Sequence, residues 1–154
     1  MDHPTLGLLK PKDTDGNSYE GEIKSEGYKV ALNIELDSAV QAEVFKFVES
    51  VVSYISSLDV KAKSIIGRDL LETYNSGWNE FDEVQKDGST KTIVNPKLDS
   101  EQFTNQFELG SINVSGIDCI EFWYKPNELF WGHSVFVTSF DGIEFNDSNT
   151  QMFG

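Results

Sequence analysis

Between Tyr28 and Leu36 apolar and polar positions alternate, with Tyr28, Val30, Leu32, Ile34 and Leu36 on one side and Lys29, Ala31, Asn33 and Glu35 on the other. A period of two predicts a strand with one buried face, and so an antiparallel sheet covered on one side. The period then changes. Ser38 followed by Gln41 has capping-box spacing, and Val40, Val44, Phe47, Val48, Val51, Ile55 and Leu58 recur at three- and four-residue steps. This predicts a helix over about 38–58. Asp59 stands where it would cap a second helix, about 59–75, whose stripe is Val60, Ala62, Ile65, Ile66, Leu70 and Tyr74 and which ends at Asn75-Ser-Gly77. Both stripes should lie on the sheet.

Upstream, Thr5 to Leu9 reads as a short strand, Asp13 to Ser18 as a turn and Tyr19 to Lys24 as extended chain. Asp13, Asp15 and Asn17 have the spacing of the first ligands of a calcium loop, but Ser18 and Lys24 occupy its glycine and glutamate positions. A hairpin turn explains them better. Downstream, Trp78 to Lys97 is polar and turn-rich and predicts a surface excursion, with a turn at Asp87-Gly88 and a stop at Asn95-Pro96. A short third helix, about 99–108 and capped by Asp99 or Ser100, would carry Phe103 and Phe107 on one face. Strands follow at Ser111 to Ser115, Cys119 to Tyr124, Ser134 to Phe140 and Ile143 to Phe145. The aromatic run from Glu121 to Ser139 predicts a central hairpin, two apolar strands joined by a tight Lys125-Pro126-Asn127-Glu128 turn. Strands, then helices, then strands again predict one α+β domain over 1–154, with a mostly antiparallel sheet and the two longer helices on one face.

The 154 residues include 11 Phe, 5 Tyr and 3 Trp, enough aromatic mass for a core. Net charge is −14, which disfavours nucleic acid and anionic lipid and favours a basic partner, although solubility alone also accounts for it. The acidity is uneven: residues 1–77 carry a net −5, and the shorter-of-cations remainder carries −9. No basic region followed by an apolar stretch opens the chain, and no apolar run approaches the roughly 20 residues of a membrane span. The expectation is a cytoplasmic protein without membrane contact. Cys119, the one cysteine, is expected as a buried, inert thiol between strand neighbours Ile120 and Phe122.

His133 is the first candidate for chemistry, set between Trp131-Gly132 and an apolar strand. Adjacent strand residues point to opposite faces, so Ser134 cannot be its nucleophile. His3, in a terminus expected to fray, is a poor second metal ligand. The leading reading is a hydrogen-bonded structural histidine, ahead of a binding-surface or catalytic one. No catalytic residue, metal or cofactor is assigned, because phosphate loops, Cys-x-x-Cys, His-Glu-x-x-His and Gly-x-Ser-x-Gly are all absent from the sequence. Candidate binding residues are His133, Trp131, Trp78, Trp123 and Glu128; for the tryptophans, core packing is the competing explanation.

Three segments carry a resemblance: Asp69-Leu-Leu-Glu-Thr-Tyr-Asn75 with Trp78 just after it, Phe122-Trp-Tyr124, and Leu129-Phe-Trp-Gly-His-Ser134. Over about Leu6 to Gly154 the chain resembles the DUF2262 group of small acidic bacterial proteins of unknown function, related in appearance to DUF2004-type proteins. The resemblance implies a place among suspected immunity proteins for bacterial toxins, and it brings no catalytic residues. Three readings follow. One is a non-catalytic binding protein whose acidic face takes a basic protein, such as a toxin domain. The others are a His133-centred metal-dependent enzyme or small-ligand binder, and a structural domain whose aromatic strand edges support a homodimer.

Overall fold

In the computed structural model, which describes residues 1–125 and 128–154, the alternating segment forms the strand it predicts, β5 (Tyr28–Glu35), with Val30, Leu32 and Ile34 buried. Seven strands make the main sheet. From one edge they run β3 (Lys10–Pro11), β4 (Ser18–Ser25), β5, β8 (Leu109–Ser115), β9 (Cys119–Tyr124), β10 (Ser134–Ser139) and β11 (Ser148–Phe153). Every pairing is antiparallel except β5 with β8. That parallel pair is where the chain returns after its helices, since parallel neighbours need a long crossover. The protein is α+β, as expected.

The N-terminus does not fray. β1 (Asp2–His3) pairs with β2 (Gly7–Leu8), His3 Nδ1 accepts from the amides of Thr5 and Leu6, and its Nε2 lies 3.1 Å from Glu49. Asp13 is likewise spent locally, accepting from the Asn17 amide and the Ser18 hydroxyl, which makes the calcium-like spacing a turn.

Helix boundaries differ from the expectation in an instructive way. α1 (Gln41–Ser53) begins after Val40, with no side-chain cap, because Asp37 and Ser38 both take left-handed backbone to turn the chain out of β5. Ser38 therefore caps nothing. The break between helices falls at Tyr54, not at Leu58, and α2 (Ile55–Thr73) continues almost directly. Tyr54 still donates to Ser50 and accepts from Leu58, so the junction is a bend. Ser50, Ser53 and Ser57 donate their hydroxyls back to the carbonyls of Lys46, Glu49 and Tyr54, an arrangement that bends helices. The bend keeps Val44, Val48, Val51, Ile55 and Leu58 on the core while Val40 and Val60, assigned to the stripes by spacing, are exposed.

Asp59 is not a cap. It lies inside α2, only 5% exposed, and its carboxylate accepts from Tyr124 at 2.7 Å and Tyr28 at 2.8 Å, with Lys63 Nζ at 3.3 Å. A buried charge is tolerable only with such donors around it. Helix α2 is thereby fixed to β5 and β9 at once.

The excursion after Trp78 is on the surface, but it is an ordered hairpin, β6 (Glu80–Val84) with β7 (Thr90–Val94). Gly88, at φ 85°, closes its turn, and Ser89 donates twice to Asp87. α3 (Ser100–Thr104) is capped by Asp99, one of the two expected residues, in a capping box with Gln102, yet is shorter than predicted. β9 and β10 pair as expected, Tyr124 opposite Val135. Leu129 to His133, however, is not strand; of the proposed tight turn, Pro126 and Asn127 lie outside the described residues. Ile143 to Phe145 is no strand either: Gly142–Glu144 is a helical turn held by the Ser139 hydroxyl on the Gly142 carbonyl, and the unpredicted edge strand β11 follows it. One cluster of buried side chains joins the sheet to the helices, and among the described residues no helix is long and apolar enough to cross a membrane.

The Asp59 cluster yields two expectations. Tyr124→Phe should lower the unfolding free energy by about 1.5–3 kcal/mol, the usual worth of a hydrogen bond to a charged group, as read by urea denaturation at neutral pH. Burial and then the Asp59 hydrogen bond push Tyr28 up to about 12, and burial and then the Asp59 charge push Tyr124 well above its ordinary value. Raised folded-state values mean that this stabilisation is complete below the unfolded value near 10 and is lost as pH rises through the folded ones. Stability should therefore fall from about pH 10 upward, and less steeply in Tyr28→Phe.

Candidate functional site

The site is built where α2 ends. Past Thr73 the helix widens into a π-helical turn, Tyr74–Trp78, in which Gly77 is extended. Tyr74 is buried and Trp78 is left at the edge of the core. Such widened turns often mark functional positions. Asn79, which follows, is buried; its amide nitrogen donates to the Asn95 carbonyl at 3.0 Å, while the Asn95 amide donates to Asn79 at 2.7 Å. Asn75 grips Leu98 in the same two-way manner, at 2.9 Å each way. The β6–β7 hairpin is therefore tied at its base to the end of α2.

Facing it is the segment that precedes β10. A helical turn, Glu128–Phe130, sinks Phe130 fully into the core against Tyr74, Trp78 and Phe103. The chain then reverses through two left-handed residues, Trp131 at φ 53° and Gly132 at φ 84°. Glycine takes that backbone freely, whereas for tryptophan it costs on the order of 1 kcal/mol or more. His133 holds the reversal. Its amide donates to the Phe130 carbonyl at 3.0 Å, and its Nδ1 lies 2.7 Å from the same oxygen. A carbonyl can only accept, so Nδ1 carries the proton.

Between hairpin and reversal lies a cleft of about 950 Å³, lined by Trp78, Phe81, Asp82, Asn95, Glu128, Trp131 and Gly132. The rings of Trp78 and Trp131 are 4.8 Å apart and inclined at 49°, and His133 meets Trp78 edge-on at 5.5 Å. Trp131 is nonetheless 57% exposed and Phe81 38% exposed. The Asp82 carboxylate accepts from Thr92, its cross-strand partner, at 2.7 Å, which sets its direction. Neither Asp82 nor Glu128 takes part in an ion pair among the described residues.

Four of the five residues singled out by sequence are thus brought together: Trp78, Trp131 and Glu128 line the cleft, and His133 supports it from behind. The additions are Gly132 and, from the hairpin side, Phe81, Asp82 and Asn95. The signal that could have found them is the balanced placement of Phe81 and Ile93 about the Asp87-Gly88 turn, which marks a hairpin.

Trp123 stands apart on the sheet face not covered by the helices. It stacks on Phe136 at 4.1 Å and 10°, and its indole donates to Glu121 at 2.8 Å. Asn113 donates to the same carboxylate oxygen at 3.1 Å and accepts from Asn33 at 3.0 Å, completing a ladder across β5, β8 and β9. Cys119, at the start of β9, is half-buried rather than buried.

The cleft offers aromatic faces and carboxylates, which suits binding. His133 directs one ring nitrogen at a carbonyl, and among the described residues no group of three or more His, Cys, Asp or Glu could hold a metal ion. Comparison with protein families finds one described as "Uncharacterized protein conserved in bacteria (DUF2262)", whose model matches residues 3–149. Neither the curated proteins nor the solved structures contain a match.

Burial, and then the charges of Glu121, Asp118 and Asp37, push the Cys119 thiol up. Because the thiolate is the nucleophile, iodoacetamide at about pH 8 should alkylate it several-fold more slowly than free cysteine. Unfolding in urea should remove the difference; equal rates in the folded protein would contradict the assigned surroundings.

Proposed function

The chain belongs to the DUF2262 family, which carries no assigned activity, and for it we propose a non-catalytic cytoplasmic binding protein that takes a basic protein partner on its acidic side. The observation that carries this reading is Trp131: a large aromatic side chain held exposed, on costly backbone, at the mouth of a cleft flanked by Asp82 and Glu128. Exposed tryptophans at such edges are the residues on which protein interfaces concentrate their energy. The long-range field points the same way. Residues 78–154, which supply every described lining residue of the cleft, carry 13 acidic against 4 basic side chains. A field of that sign speeds the approach of a basic protein and repels nucleic acid. A toxin domain held by its immunity protein is one instance of such a pair, and there the bound complex is the whole function.

The test is kinetic. Candidate basic proteins, beginning with the product of the adjacent gene, are titrated against the immobilised chain at increasing salt. The association rate should fall at least about tenfold between low salt and roughly 0.5 M, because surface charges are screened over that range. An association rate indifferent to salt sinks the reading.

A further inference from the structure

We propose that the cleft between the β6–β7 hairpin and the Glu128–Gly132 turn is a receptor for one arginine side chain, stacked on Trp131 and clamped by Asp82 and Glu128. This rests on the basic-partner reading and narrows it to a chemical group.

The charge of the lining is one-sided. Two carboxylates stand in the cleft, none of its described lining residues is basic, and neither carboxylate has an ion-pair partner among the described residues. The walls between them are aromatic, Trp78, Phe81 and Trp131, whose faces attract cations and attract them most strongly for tryptophan. An anion or a neutral hydrogen-bonding ligand would meet repulsion or an excess of acceptors. A cation meets complementarity on every side.

Guanidinium fits better than ammonium. Trp78 packs on one side of Trp131, and the indole still keeps more than half of its surface open, a flat platform. A planar, weakly hydrated group lies flat on such a platform with its N–H edges free to meet carboxylates in the plane, while a strongly hydrated ammonium gains less from it. Thr92 fixes Asp82 through one oxygen and leaves the other to accept. The volume of about 950 Å³ exceeds a side chain and admits the flanking peptide as well. His133 is a positioning residue here. By holding the Phe130 carbonyl from both its amide and its ring, it maintains the left-handed reversal that presents Trp131.

The experiment is a titration of the full chain with acetyl-Gly-Arg-Gly-amide, following the indole N–H resonances of the three tryptophans. Trp78 and Trp131 should shift and Trp123, stacked on Phe136, should not. Trp131→Ala should weaken binding at least about tenfold, as expected for a desolvated cation–π contact. Asp82→Asn, on an exposed hairpin and harmless to folding, should weaken it similarly. The citrulline peptide, of the same shape without charge, should leave the spectrum unchanged, and the lysine peptide should bind several-fold more weakly. Equal binding of the arginine and citrulline peptides, equal binding of arginine and lysine, or shifts confined to Trp123 would each overturn the proposal. Its failure is separable from that of the broader reading: a basic protein that binds with strong salt dependence, and binds Trp131→Ala and Asp82→Asn equally well, leaves the acidic side intact and removes the arginine cleft.

Discussion

The seat of α2 on the sheet depends on one buried negative charge. Asp59 sits inside a helix on the sheet, where an unpaired carboxylate would cost several kcal/mol, and it is tolerated because Tyr28, Tyr124 and Lys63 point three donors at it. Hydrophobic contact between α2 and the sheet is non-directional and would permit the helix to slide or rotate slightly. The Asp59 cluster would not, since a shift of an ångström or two leaves a charged acceptor short of partners. That specificity, more than the net energy of the cluster, is its contribution.

From that fixed point, rigidity passes to the cleft through rings. Tyr124 meets Phe107, Phe107 meets Phe103, Phe103 and Phe130 both meet Tyr74, and Phe130 meets Trp78, which carries Trp131. Each contact is between large, stiff side chains, and most are edge-to-face, a geometry that fixes orientation as well as distance. The π-helical turn at Tyr74–Trp78 and the reversal at Trp131-Gly132 are irregular backbone at the end of this chain of rings. Irregular backbone persists only where surroundings over-determine it, and here the surroundings are aromatic core on one side and the Asn79–Asn95 clasp on the other.

What the sequence made legible was whatever depends on near neighbours. The alternation of β5, the cap of α3 at one of its two candidates, Asp99, and the α2 stripe apart from Val60 all follow from contacts within a few residues, and they appear as predicted. The errors share the opposite cause. Asp59 has the residue type and position of a helix cap, and the two tyrosines that hold it lie 31 and 65 residues away. Leu129 to His133 is as aromatic as a strand, but its backbone is decided by Phe130 filling a hole in the core. Ser148–Phe153 has the weak, polar pattern of a loop and becomes a strand because β10 offers it a pairing edge. Four of the five candidate binding residues nevertheless meet in one place, because three of them, Glu128, Trp131 and His133, lie within six positions of one another and the fold sets Trp78 against them.

The fifth, Trp123, clarifies what distinguishes a structural tryptophan from an available one. Its ring is stacked on Phe136 and its N–H is spent on Glu121, whose same oxygen also takes Asn113. Along that ladder donors and acceptors answer each other, and a ligand there would have to break bonds already made before forming its own. The cleft is the reverse case. Trp131 and Phe81 present exposed rings, and Asp82 and Glu128 present charge that no described cation neutralises. Trp123 and Glu121 spend their polar groups on each other and on Asn113, whereas the cleft sets exposed aromatic rings beside two carboxylates that no described cation pairs, a combination whose chemistry favours a flat cation over an anion.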